Sequence, residues 1–200
     1  EAAAHHGVKQ LFAASSIQVI QGTRRMPEAG DPPPCEHPYL PLDGRTPPNP
    51  DNAYALSKLA LEEAMAWWAK KAEGRSAVAA RFPALIETPR QRPRHRSEAP
   101  RAGYLLDEAC AWLAMADAAS FIVACLAAEL PGYRCYLPAA AEPNVAMTPA
   151  ELASRYFADV PCAVGHANLE AMVDISDITA ETGWTPQWAW ADIEAASPSL

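Results

Sequence analysis

The sequence predicts an α/β fold built on a parallel sheet, and three observations predict it. A short apolar run, Lys9-Gln10-Leu11-Phe12-Ala13-Ala14-Ser15, follows a glycine-closed segment and reads as a buried strand. A helical pattern begins near residue 50, and a second apolar run, Ala77-Val78-Ala79-Ala80-Arg81-Phe82, comes after it. Strand, helix, strand in this order is a βαβ unit, whose two strands lie parallel and are joined by a right-handed crossover.

The elements follow in order. Glu1-Ala2-Ala3-Ala4-His5-His6-Gly7 reads as the last turns of a helix closed by a C-cap glycine, and a chain that opens in this way is expected to be part of a longer one. Residues 22–50 hold many prolines and few periodic apolar residues, so a long loop is expected, of the kind that often carries function. Asn49-Pro50 reads as an N-cap with proline at the first helical position, opening a helix that runs to about Lys71 and stops at Gly74. Leu56, Ala60, Ala64 and Trp67 recur at helical spacing as its apolar face, and the Trp67-Trp68 pair reads as packing. After the second strand the pattern breaks at Pro83, and residues 87–101, rich in Arg and Pro, read as a loop. A mostly apolar helix is expected from Asp117 to Leu130 and a strand over residues 133–138. Thr148-Pro149-Ala150-Glu151 is a capping box that opens a helix to about Tyr156, and a short helix from Ser176 to Thr182 should end at Gly183.

Composition narrows the function classes. The net charge of −8 over 200 residues argues against a general nucleic-acid partner, which usually meets a basic face. No run of about 18 apolar residues and no signal peptide is present, so no membrane partner and a cytoplasmic location are expected. The five cysteines form no Cys-x-x-Cys pair and read as reduced thiols. Cys35-Glu36-His37 has no second pair at ligand spacing, so no metal site is expected.

Tyr54 and Lys58 lie four apart on the expected helix and share a face. Alone, this Tyr-x-x-x-Lys pair also fits a surface tyrosine and lysine on an ordinary amphipathic helix. Its context narrows the choice. Ser15-Ser16 closes the first strand, Pro41-Leu42-Asp43 stands in the long loop, and Asn52-Ala53-Tyr54-Ala55-Leu56-Ser57-Lys58 opens the helix. The second strand runs into Arg81-Phe82-Pro83-Ala84-Leu85-Ile86, and Gly183-Trp184-Thr185-Pro186 stands near the C-terminus. In this order the segments resemble the NAD-dependent epimerase/dehydratase family, the extended branch of the short-chain dehydrogenases/reductases, over nearly the whole chain.

The resemblance implies the later part of a Rossmann-like parallel sheet plus a small mixed α/β C-terminal substrate lobe. Residues 1–86 would be the C-terminal part of the NAD(P)-binding domain, and residues 87–200 the substrate-binding lobe, with 112–138 packing back on the first part. It implies an NAD(P)-dependent epimerase, dehydratase or reductase that transfers hydride on a nucleotide sugar or a related hydroxyl or carbonyl substrate, with NAD or NADP as cofactor and a homodimer as an open option. Ser16 would hold the substrate oxygen, Tyr54 would be the acid/base and Lys58 would tune it and bind the nicotinamide ribose. A tyrosine titrates near about 10 and is a poor base at neutral pH, but a neighbouring ammonium favours its phenolate. Ser15, Pro83 and Leu85 would join Tyr54 and Lys58 around the cofactor. Arg92, Arg94 and Arg101 belong to the one arginine-rich stretch, which reads either as a solvated loop or, where the substrate lobe begins, as contacts to an anionic substrate together with Ser16.

The chain departs from the family pattern in three places. Val19-Ile20-Gln21 stands where Val-Tyr-Gly is usual, with Gly22 one place later. Trp112 to Ala119 keeps Asp117 of a Tyr-x-Asp-x-x-Asp-x-Ala segment but has Ala114 for its first acid. The nine glycines are scattered and form no Gly-x-x-Gly-x-x-Gly loop of the kind that cradles a cofactor pyrophosphate. The alternative is therefore a non-catalytic fragment, lacking that loop and needing a further N-terminal segment or a partner chain.

Overall fold

The computed structural model describes residues 2–20, 37–87, 96–100 and 103–196. A short helix α1 (Ala2–His5) leads into strand β1 (Gln10–Ser16). Helix α2 (Ala53–Ala69) crosses to strand β2 (Ser76–Phe82), which pairs with β1 in parallel from Gln10–Ser76 to Ser16–Phe82. Strand β5 (Gly132–Tyr136) joins the other side of β2, also in parallel, so the sheet order is β1-β2-β5. All seven residues of the central strand β2 are buried, which explains its unbroken run of small and apolar side chains.

Alternation along β2 assigns its two faces. Val78, Ala80 and Phe82 meet α4 (Met115–Ala127), whose Phe121 packs edge-on against Phe82 and Trp184 with ring centroids 6.0 and 5.1 Å apart. Ala77, on the opposite face, meets Met65, Trp68 and Ala69 of α2. Immediately beyond Pro83, where the apolar pattern breaks, β3 (Ala84–Ile86) pairs in parallel with β4 (Trp112–Ala114). Strands of three residues are too short to carry a periodicity, so neither was foreseen. Helix α3 (Gly103–Asp107) precedes β4.

Several expected boundaries move. α2 starts after Asn52, not Asn49: the Asn52 side chain accepts from the Ala55 amide at 2.8 Å, whereas the Asn49 amide is taken by the Val19 carbonyl. Leu56, Ala60, Ala64 and Trp67 do share a face, but that face is exposed; the helix buries Ala55, Glu62, Met65, Trp68 and Ala69 instead. α4 runs from Met115 to Ala127 rather than from Asp117 to Leu130, because Ala128 is already extended. β5 begins at Gly132 and ends at Tyr136, short of residue 138.

The C-terminal elements are as expected at their caps. α5 (Pro149–Tyr156) opens on the Thr148–Glu151 capping box, with both reciprocal bonds formed. α6 (Ser176–Thr182) stops at Gly183, whose φ of 70° is the left-handed conformation that favours glycine. α7 (Trp190–Ala195) is a further helix, held by Trp190 stacked edge-on to Trp112. Asp117 has a structural use: its two carboxylate oxygens accept from the Gln187 and Trp188 amides at 3.0 Å and tie this segment to α4. No described helix is long and apolar enough to cross a membrane.

Candidate active site

Parallel strands end on one side, and in open α/β sheets ligands bind beyond those carboxyl ends. β1 ends there in Ser15-Ser16 and β2 in Phe82, followed by Pro83. α2 lies across β1, and the Lys58 Nζ donates to the Ala14 carbonyl at 2.8 Å. One turn earlier on the same face, the Tyr54 ring centroid is 5.6 Å from that ammonium. Tyr54 is half exposed, at 51%. Ser16 closes the other side; its Oγ accepts from the Gln18 amide at 3.2 Å. Ser16, Tyr54 and Lys58 all line one cleft of about 510 Å³. Ser15, Pro83 and Leu85 line it as well.

The arrangement is fixed from behind by a buried polar network. The Ser15 hydroxyl donates to Glu62 Oε1 at 2.6 Å, so that hydroxyl turns toward α2. Arg81 of β2 donates from Nε and Nη2 to the two oxygens of Glu62 at 3.0 and 2.7 Å, and from Nη1 to the Thr46 carbonyl at 2.7 Å. Burial alone would weaken the Arg81 charge, but the bidentate bond to Glu62 outweighs it and holds the guanidinium above its usual range. The network therefore clamps α2, the carrier of Tyr54 and Lys58, to β1, β2 and the preceding loop.

That loop contains the Pro41-Leu42-Asp43 segment. Leu42 is buried and bonds with the backbone at Met172 and Asp174. Asp43 accepts from the Tyr39 hydroxyl at 2.7 Å and the Arg45 amide at 2.8 Å. Burial would raise its carboxyl, but these bonds outweigh it and hold Asp43 below the usual carboxylate range. Asp43 thus shapes the loop whose Thr46 carbonyl meets Arg81.

Two cleft residues were not singled out by sequence. Gln18 and Glu108 both line the cavity. Glu108 follows α3 and is only 8% exposed; burial pushes its carboxyl up to about 7, Asp107 adds to the shift and the Gln18 side chain opposes it. The available signal was an acidic doublet, Asp107-Glu108, set between Leu105-Leu106 and Ala109-Cys110-Ala111-Trp112. Arg92, Arg94 and Arg101 lie outside the described residues. Of that arginine-rich stretch, Arg96 is described; it pairs with Glu142 at 2.8 Å.

No protein-family model and no curated protein matches the chain. Solved structures do. A UDP-glucose 4-epimerase from Bifidobacterium longum, in complex with NAD+ and UDP, matches over 98% of this chain and 64% of its own, with 19% identity and a TM-score of 0.60. The chain shares the fold of this epimerase. A UDP-N-acetylglucosamine 4-epimerase from Bacillus cereus matches 98% of this chain and 64% of its own at 18% identity and a TM-score of 0.58. RMD from Pseudomonas aeruginosa, complexed with NADPH, matches 94% of this chain and 64% of its own at 15% identity and a TM-score of 0.56. The chain therefore spans a little under two thirds of the length of these structures.

Proposed function

We propose that this chain carries the catalytic and substrate-facing part of an NAD(P)-dependent epimerase, dehydratase or reductase acting on a nucleotide sugar or a related hydroxyl or carbonyl substrate. The observation that carries it is the convergence of Ser16, Tyr54 and Lys58 on one cleft at the carboxyl ends of β1 and β2. Neighbours of the same fold were solved with NAD+ and UDP or with NADPH, which supports NAD or NADP here and a nucleotide sugar as the first substrate class to try.

The residues present fit the nicotinamide end of such a cofactor. Pro83 and the half-exposed Leu85 offer an apolar wall, and the Lys58 ammonium and Tyr54 hydroxyl offer donors suited to ribose hydroxyls. When bound, the nicotinamide supplies the hydride acceptor or donor that no side chain can be. Ser16 Oγ orients the substrate oxygen by a hydrogen bond. Tyr54 moves the proton to or from that oxygen as the carbon changes oxidation state. Lys58, anchored on the Ala14 carbonyl, keeps a positive charge beside the tyrosine ring. A homodimer belongs to the same proposal, and the exposed Leu56 and Trp67 on α2 offer it an apolar surface.

The test is cofactor-linked turnover by the intact protein on a panel of nucleotide sugars, followed by the absorbance of NAD(P)H for reductases and by product sugar for epimerases and dehydratases. Turnover that requires NAD or NADP supports the proposal. A folded intact protein with no turnover on any member would favour the non-catalytic alternative.

A further inference from the structure

Glu108 lines the same cleft as Ser16, Tyr54 and Lys58 and has no role in the chemistry proposed for them. The Gln18 side chain lies near enough to the carboxyl to oppose the upward shift that burial causes, and the Gln18 backbone amide donates to Ser16 Oγ at 3.2 Å. One residue thus links Glu108 to the serine that ends β1. The backbone that follows is strained: Ala109 and Cys110, both fully buried, have φ of 51° and 52°. The left-handed region is unfavourable for a residue with a Cβ. Hydrogen bonds hold the turn in place, from the Cys110 amide to Leu105 at 2.6 Å and from the Ala111 amide to the Glu108 carbonyl at 2.9 Å. Strain of this kind gathers at binding sites, where it fixes a side chain's direction. A carboxylate accepts up to about four hydrogen bonds, so Gln18 leaves acceptor capacity toward the cleft.

We propose that Glu108 is a specificity residue: its carboxyl accepts a hydrogen bond from a substrate hydroxyl and repels a substrate carboxylate, so that the cleft takes a neutral, hydroxyl-bearing sugar in preference to the matching sugar acid. This rests on the oxidoreductase function proposed above for the kind of ligand, but binding alone can decide it. Among the described residues, the charged and titratable groups around Glu108 are Asp107 at the end of α3, Cys110 in the same turn, and Tyr54 and Lys58 on α2, which line the same cleft. Asp107 has the same sign and adds to the repulsion. Gln18, from the turn after β1, and Ala84 and Leu85, from β3, are uncharged. Burial places the titration of Glu108 at about 7, so the discrimination is full above neutral pH and fades below it.

The experiment is calorimetric titration of the intact, NAD(P)-loaded protein with UDP-glucose and with UDP-glucuronate, at pH values about one unit above and below the Glu108 value of about 7. Neither ligand changes its own charge across that range. Wild type should bind UDP-glucose at least about tenfold more tightly at the higher pH, and the ratio should shrink at the lower one. Glu108→Gln should bring the ratio close to one at both. The proposal is overturned if wild type binds the two alike at the higher pH, if it binds neither, or if Glu108→Gln keeps the wild-type ratio. Should Glu108→Gln not fold, Glu108→Ser is titrated in its place, and a wild-type ratio in that variant at the higher pH overturns the proposal equally. Discrimination without any NAD(P)-dependent turnover would remove the proposed reaction and leave the role of Glu108 standing; turnover without discrimination would do the reverse.

Discussion

Glu108 carries a cost that can be measured without any ligand. In the unfolded chain its carboxyl titrates near the ordinary value of 4.5, and in the folded chain burial pushes it to about 7. Between these values the folded state holds a proton that the unfolded state has released, so stability falls as pH rises through the window. A shift of this size corresponds to at most about 3 kcal/mol. Glu108→Gln should therefore be more stable than wild type above pH 7 and equal to it near pH 4.5, as read by urea unfolding of both proteins across the range. Equal stabilities at every pH would show that the carboxyl is better hydrated than its burial implies. At this scale the sequence displayed Tyr54, Lys58 and Ser16 through their motif, because local spacing carries that information. It did not display Glu108, whose place in the cleft depends on β4 returning beside β3 and on a left-handed turn at two residues that are not glycine.

Among the elements, α2 decides the geometry of the site, and the Glu62–Arg81 pair decides where α2 sits. Both side chains are about 95% buried. Removing one partner of such a pair leaves the other charge uncompensated and costs roughly 3–5 kcal/mol. Glu62→Gln should lower the thermal midpoint accordingly, and circular dichroism melts will show it; a change within about 0.5 kcal/mol, the range of ordinary surface substitutions, would contradict the clamp. Gly44 is a second constraint. A Cβ placed there would lie 2.1 Å from the Cys135 carbonyl oxygen of β5, so the loop must shift in Gly44→Ala. A loss of about 1–3 kcal/mol is expected, measured by the same melts. An unchanged midpoint would mean that this loop is free to move away from the sheet. Neither constraint can be read in sequence, since Glu62 looks like any helical surface acid and Gly44 like any turn residue. The capping box at Thr148 and the stop at Gly183 could be read, because caps are local. The outward turn of Leu56 and Trp67 could not, because periodicity shows that a face exists and not what it faces.

For the whole molecule, the topology does the positioning. Three parallel strands in the order β1-β2-β5, with α2 on one face and α4 on the other, bring the ends of β1 and β2 together, and the cleft forms there. The βαβ order was legible from two apolar runs and a helix; the β3–β4 pair, whose Ala84 and Leu85 line the cleft, was not, since its partners are three residues each and far apart in the chain. The chemistry proposed for this cleft rests on one proton that Tyr54 moves. Tyr54 is half exposed, so Tyr54→Phe keeps the ring and leaves the core intact. The decisive measurement is kcat for Tyr54→Phe in the intact protein, with its circular dichroism matched to wild type. A fall of roughly 100-fold or more is predicted, within the usual range for the loss of an acid/base group; near-normal turnover in the folded variant would contradict the proposed role.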